Sequence, residues 1–245
     1  MPDQYSRTRM LLGEDGMSRL RNARVALFGL GGVGGYAAEV LARSGIGQID
    51  LIDDDTVSLT NLNRQLLATH DTVGQHKVDV AAQRIRQIDP SIIVKTYKTF
   101  YLPETAGEFD FSQYDYVLDA IDTVTGKLAL IAQAKSAGVP IISCMGTGNK
   151  IDPTGFQVAD ISKTSGCALS RIMRKECAKR GLKHVKVVFS QELPLEPMEE
   201  PEEPQREGSS RRALPGSVAF VPAVAGIIMA GEVVKDISRI KKTQG

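Results

Sequence analysis

Short apolar runs alternate with amphipathic stretches over the first 160 residues or so of the chain. The runs at 25–28, 48–53, 114–122 and 139–144, together with "SIIVKTY", have the length and composition of buried strands. Between them, "VGGYAAEVLARSG", "KVDVAAQRIRQIDP" and residues near 125–137 show helical spacing. The first helix is expected to end at Gly45 and the second before Pro90. Strands alternating with helices predict a Rossmann-like α/β fold, a mostly parallel sheet with helices on both faces.

The pattern changes beyond about Ile161. The stretch "SKTSGCALSRIMRKECAKRGLKHVK" is strongly basic, and "QELPLEPMEEPEEPQREGSSRR" is acidic and Pro-rich without an apolar period. The next segment, "ALPGSVAFVPAVAGIIMAGEVVKDI", is apolar again and is expected to return to the core. We therefore interpret residues 1–245 as one domain, interrupted over 162–215 by a long surface excursion: a basic helix, then a partly flexible Pro/Glu-rich loop.

Composition narrows the class of protein. A chain of 245 residues with 42% hydrophobic content supplies one good core, and a net charge of +1 gives no overall field that attracts a polyanion. The three cysteines, Cys144, Cys167 and Cys177, form no CxxC pair, which argues against a disulfide framework and a four-thiolate zinc site. We expect no zinc and a cytoplasmic location.

No membrane segment is expected. The N-terminal residues carry charges without a following apolar run, so they do not have the pattern of a signal peptide. The longest apolar stretch, 217–230, is short for a spanning helix and contains Pro222 and Gly226. It is better interpreted as a buried segment.

A glycine-rich loop follows the first predicted strand. Gly29, Gly31 and Gly34 fit the spacing G-x-G-x-x-G, with Gly32 inside it, and a helix begins directly afterwards. This arrangement lets a phosphate approach the backbone at a helix N-terminus. Asp53, at the end of the second strand, is placed to accept ribose hydroxyls. A nucleotide site is therefore predicted, and at this point an NAD-dependent dehydrogenase remains open.

The residues after Asp53 favour a triphosphate. Asn61, Arg64 and Gln65 lie in one loop and Lys77 begins the next helix, so several phosphate-seeking groups converge. A triphosphate needs cations to neutralise its leaving pyrophosphate, whereas a dinucleotide needs few beyond the helix end. Asp119 and Asp122, in "LDAID", could hold Mg²⁺. The alternatives are a solvated Arg64, a Lys77 in a surface ion pair and an Asp122 that caps the following helix.

The motifs "GLGGVG", "LIDDDTVSLTNLNRQ", "VGQHKVDVAAQRI" and "DAIDT" resemble those of the ThiF/MoeB family of ATP-dependent activators, which includes the adenylation domain of ubiquitin-activating enzymes. These motifs cover about residues 7–160. The later segments "DPTGFQVADISKT", "VVFSQELP" and "LPGSVAFVPAVAGIIMAGEVVKDI" are similar to one branch, the tRNA threonylcarbamoyladenosine dehydratases. The resemblance then extends over nearly the whole chain.

The resemblance implies a ligase-type enzyme that adenylates a carboxylate. A substrate carboxylate attacks the α-phosphate of ATP, pyrophosphate leaves, and an acyl-adenylate remains. In the dehydratase branch the carboxylate belongs to N6-threonylcarbamoyladenosine in tRNA, and internal attack closes a ring with net loss of water. Catalysis of this kind depends on charge neutralisation and alignment.

The resemblance also implies roles for individual residues. Arg64, Lys77 and Asp122 would be catalytic, with Asp122 holding Mg²⁺. An arginine from the partner subunit would join them; Arg7 is the first choice, with Arg9 close behind, and a homodimer is expected. The implied residues for ATP are Gly29, Gly31, Gly32, Gly34, Asp53, Asp55, Asn61, Arg64, Gln65, Lys77, Asp122 and Thr123.

Two alternative functions stay open. One is adenylation of the C-terminal glycine of a ubiquitin-like sulfur-carrier protein, with a sulfur-transfer protein as a partner; the missing CxxC motifs count against it. The other is a nucleotide- or tRNA-binding module without catalysis, which has no need of the whole phosphate-binding set. Cys167 lies where a related thioester or persulfide cysteine would sit, but ring closure needs no enzyme thiol, so we expect Cys144, Cys167 and Cys177 to be packing residues.

The basic segment is a candidate tRNA-binding surface. If "ALSRIMRKECAKR" is helical, Leu169, Ile172, Met173 and Cys177 form one apolar face. The cations left outside that face, able to meet a phosphate backbone, are Arg171, Arg174, Lys175 and Lys179. The alternative is a solvated cationic face, or one that folds onto the acidic loop.

Overall fold

The computed structural model describes residues 3–199 and 215–239. Its strands are β1 (Arg24–Phe28), β2 (Gln48–Ile52), β3 (Ile93–Tyr97), β4 (Tyr116–Asp119), β5 (Ile141–Cys144), β6 (Phe156–Asp160) and β7 (Lys186–Ser190). Its helices are α1 (Ser6–Asn22), α2 (Gly34–Arg43), α3 (Lys77–Ile88), α4 (Val124–Ser136), α5 (Ala168–Lys179) and α6 (Phe220–Ser238). Short 3₁₀ turns connect several of them.

The strands form one sheet in the order β3-β2-β1-β4-β5-β7-β6. Every neighbouring pair is parallel except β6 with β7. One hydrophobic cluster joins α2, α3 and α6 to one face of the sheet, and a second joins α4 and α5 to the other. The predicted Rossmann-like sheet with helices on both faces is confirmed.

The central strands are buried on both faces. Val25, Ala26, Leu27 and Phe28 of β1 are fully buried, which explains why this strand is a continuous apolar run rather than an alternating one. The edge strand β3 is mostly exposed. The first predicted helix ends as expected, since Gly45 follows α2 with a φ of +84° that suits glycine.

The last apolar segment is buried, as predicted. Along α6, ten residues including Val221, Met229 and Val233 are buried. Gly226 makes the packing against α2 possible, because a Cβ there would lie 2.2 Å from the carbonyl oxygen of Val33. Among residues 3–199 and 215–239, no helix has both the length and the apolar character needed to cross a membrane.

The interpretation of 162–215 as a surface excursion is wrong for its middle part. β7 lies inside the sheet between β5 and β6, and Val187, Val188 and Phe189 are buried. The sequence pattern did not reveal β7, because this short apolar run lies between a strongly basic and a strongly acidic stretch. The predicted Pro/Glu-rich loop lies largely outside the described residues, at 200–214.

A buried ion pair joins neighbouring strands of the sheet. The carboxylate of Asp50, fully buried, accepts a hydrogen bond from Arg24 Nη2 at 2.6 Å and from the hydroxyls of Tyr97 and Tyr114 at 3.2 Å each. The Arg24 guanidinium also lies 5.0 Å from the centre of the Tyr114 ring. This cluster ties β1, β2 and β3 together.

Candidate functional site

The predicted site residues meet at the carboxyl ends of three strands. β2 lies on one side of β1 and β4 on the other, so the chain reverses its direction of travel across the sheet between β1 and β4. Open α/β sheets bind ligands in the crevice at such a switch point. Here the crevice is bounded by the loops that follow β1, β2 and β4.

The glycine-rich loop contains glycines of two kinds. A Cβ at Gly34 would lie 1.8 Å from the carbonyl oxygen of Gly29, and one at Gly29 would lie 2.8 Å from the backbone of Ala120. Gly29 also has a φ of +90°. A Cβ at Gly31 would meet only the side-chain nitrogen of Gln65, 3.9 Å away. Packing therefore requires Gly29 and Gly34, whereas Gly31 borders open space of the kind a phosphate needs.

Asp53 joins the glycine-rich loop to the end of β2. Its carboxylate accepts hydrogen bonds from the backbone N–H of Leu30 at 2.6 Å and of Asp55 at 2.8 Å. Burial raises the pKa of Asp53 above its ordinary value, while Lys77 and the two N–H groups oppose that rise. Each carboxylate oxygen can accept more than one hydrogen bond, so Asp53 keeps capacity for ribose hydroxyls.

Lys77 is a buried cation at the start of α3. Its Nζ lies 2.8 Å from Oδ2 of Asp55, and its side chain is 5% exposed. Lys77 therefore does form an ion pair, with Asp55, but the alternative that placed this pair on the surface is wrong because Lys77 is buried. Asp55 belongs to the run Asp53, Asp54, Asp55, whose carboxylates lie within 4.8 Å of one another.

The loop after Asp55 supplies an arginine and a buried amide. Nη1 of Arg64 donates to the carbonyl of Thr60 at 2.9 Å and to Oδ1 of Asn63 at 2.8 Å, so this guanidinium is oriented by the loop rather than simply solvated. Asn61 accepts a hydrogen bond from the backbone of Ser58. Gln65 is 8% exposed, and its Oε1 has no hydrogen-bond partner among the described residues.

The loop between β4 and α4 contains a second buried polar atom that has no hydrogen-bond partner among the described residues. Thr123, not Asp122, is the N-cap residue of α4, and its side chain makes no cap hydrogen bond. The buried Oγ1 of Thr123 finds no partner within the described part of the chain. Asp122, the residue before this N-cap, is exposed.

These groups together fit a nucleoside triphosphate with a divalent cation. Unpaired buried polar atoms are costly and mark places where a ligand completes the hydrogen bonding. Gln65 and Thr123 offer such atoms, Lys77 offers a cation, and Asp122 offers the hard oxygen ligand that Mg²⁺ prefers. Among the described residues, only the side-chain nitrogen of Gln65 comes within 4 Å of a Cβ built on Gly31.

Asp119 does not serve as a magnesium ligand, contrary to the expectation. It is fully buried, and both its oxygens accept hydrogen bonds from Lys127 Nζ, at 3.0 and 3.1 Å. The sequence analysis missed Lys127 altogether. The available signal was a lysine one residue before the apolar run "LALI", at a position that faces the sheet.

The basic helix α5 is only partly as predicted. Met173 and Cys177 are buried, but Ile172 is 46% exposed. Arg174 is half-buried and donates to the carbonyl and the hydroxyl of Thr164, so it is a structural residue. Nζ of Lys179 lies 2.9 Å from the carboxylate of Glu176. Arg171 and Lys175 remain exposed on α5, with no ion pair to any described residue.

The three cysteines are buried, as expected of packing residues. Burial raises the pKa of Cys144 to about 12. Cys167 differs, because burial raises its pKa but Ser170, the backbone N–H of Gly146 and the charge of Lys150 together outweigh that effect, leaving the pKa below its ordinary value. Cys167 immediately precedes α5.

Arg7 and Arg9 are in different environments on α1. Arg9 forms ion pairs with Asp3 and Glu14, each at 2.7 Å. Arg7 is exposed and has no such pair with any described residue. Met10 and Leu11, in the same helical segment, are 84% and 83% exposed.

Comparison with known proteins gives a consistent result. The model of the ThiF family matches residues 5–244. A tRNA threonylcarbamoyladenosine dehydratase of Bacillus subtilis is 46% identical over 242 residues, 97% of this chain and 95% of that protein. The solved structure of the Escherichia coli tRNA N6-threonylcarbamoyladenosine dehydratase in complex with ATP superposes with a TM-score of 0.86 at 35% identity, covering 99% of this chain and 96% of the other. Its complex with AMP gives 0.85 at 36% identity, with coverages of 96% and 94%. The chain therefore belongs to the ThiF family.

Proposed function

We propose that this protein uses ATP to convert N6-threonylcarbamoyladenosine in tRNA into its cyclic, dehydrated form. The observation that carries the proposal is the near full-length similarity to dehydratases of that name, one of them solved with ATP. The crevice supports it independently, because a buried lysine and buried polar atoms that have no partner among the described residues follow the strands next to the glycine-rich loop.

The proposed reaction has two steps, adenylation of the carboxylate and ring closure. A carboxylate oxygen of the threonyl group attacks the α-phosphorus of ATP, the bond to the β-phosphate oxygen breaks, and pyrophosphate leaves. An internal nucleophile of the same nucleoside then attacks the acyl carbon, the bond to AMP breaks, and a proton is released. The lost carboxylate oxygen departs with AMP, so the net change in the nucleoside is the loss of water.

The residues of this chain act by binding and alignment. Asp53 accepts the ribose hydroxyls, while the backbone around Gly31 and the side chains of Arg64 and Lys77 contact the phosphates. Asp122 would hold Mg²⁺, which neutralises phosphate charge when bound. Charge accumulates on the leaving pyrophosphate, and fixed cations stabilise it more in the transition state than in the ground state.

We further propose a homodimer in which Arg7 reaches the partner's crevice. Arg7 is the better candidate for this role, because it is exposed and forms no ion pair with any described residue. Arg9, by contrast, is engaged in ion pairs. The exposed Met10 and Leu11 beside it are large apolar side chains, which a second copy would shelter. A substrate in tRNA is consistent with a cytoplasmic enzyme.

One experiment tests the activity. The purified protein is incubated with ATP, Mg²⁺ and tRNA that carries N6-threonylcarbamoyladenosine, and the nucleosides are analysed by mass spectrometry. The proposal expects loss of the parent nucleoside, a product lighter by one water, and one AMP per product. Unchanged nucleoside would overturn it, and pyrophosphate release only with a ubiquitin-like carrier protein would assign the alternative function.

A further inference from the structure

A fully buried polar network lies directly under the β4–α4 loop. Lys127 Nζ donates to both oxygens of Asp119, to the carbonyl of Cys144 at 2.7 Å and to Oγ of Ser143 at 3.3 Å. Oγ of Ser143 in turn donates to Oδ2 of Asp119 at 2.5 Å. Lys127 and Asp119 are both 0% exposed. The network therefore joins the ends of β4 and β5 to the first turns of α4.

The position of Lys127 is unfavourable on local grounds. A cation near the N-terminus of a helix opposes the helix dipole, and α4 has no acidic residue in its first turn to compensate. Burial also raises the pKa of Asp119, with Lys127 and Ser143 opposing that rise. Because removing two charges from water costs about as much as their attraction returns, such a pair is weak evidence for a purely stabilising role.

The network connects the two ends of the β4–α4 loop, which carries proposed ligands of the metal–nucleotide complex. Asp119 precedes that loop and Lys127 follows it, so their contact fixes the separation of the two ends. The backbone N–H of Ile121 also donates to Oδ1 of Asp119, at 3.3 Å. Between the ends lie the exposed Asp122 and Thr123, whose buried hydroxyl has no hydrogen-bond partner among residues 3–199 and 215–239.

We propose that Lys127 and Asp119 are positioning residues that hold the carboxylate of Asp122 in place to bind the metal ion of a metal–nucleotide complex. They touch neither metal nor nucleotide, since both are fully buried beneath the loop. The inference rests on the proposed function only in taking the metal–nucleotide as ligand of this loop. It predicts that breaking the network weakens metal binding specifically, rather than ATP binding in general.

The test measures metal binding without catalysis. Mn²⁺ binding in the presence of α,β-methylene ATP is followed by electron paramagnetic resonance, and binding of the analogue without metal is followed by calorimetry. Asp119→Asn combined with Lys127→Met removes both charges but keeps an acceptor for Ser143 and Ile121. We expect the half-saturating Mn²⁺ concentration to rise at least tenfold, while metal-free affinity for the analogue stays within twofold. Asp122→Asn is the positive reference.

The matched control is the ion pair between Arg24 of β1 and Asp50 of β2, which lies outside the β4–α4 region. Arg24→Met combined with Asp50→Asn removes the 2.6 Å ion pair that joins β1 to β2. It is expected to lower the melting temperature but to leave the Mn²⁺ requirement unchanged. An unchanged Mn²⁺ requirement in the folded Asp119/Lys127 variant would overturn the proposal, as would an equal rise in the control.

A milder variant covers the case in which the double variant does not fold. Ser143→Ala removes one hydrogen bond to Asp119 and keeps the ion pair, so a rise of about threefold in the Mn²⁺ requirement is expected, and no rise would overturn the proposal. All these measurements omit tRNA. Failure of the cyclisation assay with a positive metal result would therefore reject the proposed function and leave this inference standing.

Discussion

Nζ of Lys77 lies 2.8 Å from Oδ2 of Asp55 at the start of α3, and the lysine side chain is almost completely buried. The contact holds the ammonium group in one place before any nucleotide arrives. Ordering the cation in advance reduces the reorganisation needed when charge develops on the leaving pyrophosphate.

Lys77→Met is expected to lower kcat/KM for tRNA-dependent AMP formation by a factor of about 10² to 10³, the effect of removing one preorganised charge partner. The fold should survive, because the remaining Asp55 side chain is partly exposed to water. Steady-state kinetics and a thermal melt check both statements. Arg84→Met is the control on the same helix, since Arg84 pairs with Glu39 across α3 and α2. An equal loss in both variants would contradict the role of Lys77.

The glycine-rich loop provides a prediction that separates space for a ligand from space for packing. Gly31→Ala should leave the melting temperature within a few degrees of wild type, because its Cβ meets no atom closer than 3.9 Å. It should weaken ATP binding at least tenfold by occupying phosphate space. Gly34→Ala should instead fail to fold, because its Cβ would lie 1.8 Å from a carbonyl oxygen. Calorimetry and melting curves measure the two effects, and normal ATP binding by Gly31→Ala would count against a phosphate at this loop.

Local patterns were enough to predict most of the sheet. The continuous apolar run of β1 and the glycine spacing after it identify a central parallel strand and a turn, because both depend on residues close together in sequence. The placement of Asp53, Lys77 and Asp122 around one crevice followed from the rule that parallel strands end at the same edge of the sheet.

Long-range contacts account for what the sequence analysis missed. β7 pairs with β5 although more than thirty residues separate them, and the basic and acidic stretches around it dominate the composition. Lys127 was not singled out, because nothing in the local sequence shows that Asp119 and Ser143 converge on it. Arg174 is held by Thr164 across a turn that no periodicity reveals.

The proposed contribution of Arg7 from the partner subunit can be tested by mixing. Arg7→Ala and Lys77→Met should each be inactive as homodimers. If Arg7 acts across the interface, a heterodimer of the two contains one complete site, so an equal mixture of freely exchanging subunits should recover about a quarter of wild-type activity. Activity that stays at the level of the separate variants, although native mass spectrometry shows heterodimers, would place Arg7 in its own subunit's site or outside the reaction.

The cysteines should differ in how alkylation depends on pH. The pKa of Cys167 lies below its ordinary value, whereas burial raises that of Cys144 to about 12. Since the thiolate is the reactive form, iodoacetamide at pH 7.5 should modify Cys167 well before Cys144. From pH 7 to 9, labelling of Cys144 should rise about tenfold per pH unit, whereas labelling of Cys167 should rise less steeply over the same range. Peptide mass spectrometry gives the two rates. The reverse order would show that access, not thiolate fraction, controls labelling.

Cys167 reactivity is not expected to reflect a catalytic thiol. Ring closure transfers the acyl group within one nucleoside, so Cys167→Ala should retain most of the cyclisation activity. Loss of activity in this variant with an unchanged melting temperature would instead indicate a covalent intermediate.

The tRNA-binding prediction changes once the structure of α5 is known. Arg174 is held by Thr164 and Lys179 by Glu176, which leaves Arg171 and Lys175 as the exposed cations on one side of the helix. These two are four residues apart and can contact neighbouring phosphates. Arg171→Glu combined with Lys175→Glu should therefore weaken tRNA binding by tenfold or more and lower the salt dependence of log K by about 1.5, as expected for two lost phosphate contacts. ATP affinity should not change.

The control for this variant carries the same change of charge on the other face of the sheet. Arg43 and Arg86 are exposed on α2 and α3, and replacing both by Glu alters the net charge equally. Filter binding at several salt concentrations compares the two double variants. If both lose affinity to the same extent, the effect is one of overall charge and α5 is not the docking surface. A loss confined to Arg171 and Lys175 would place the tRNA along α5, on the side of the sheet that also carries α4 and the loop before it.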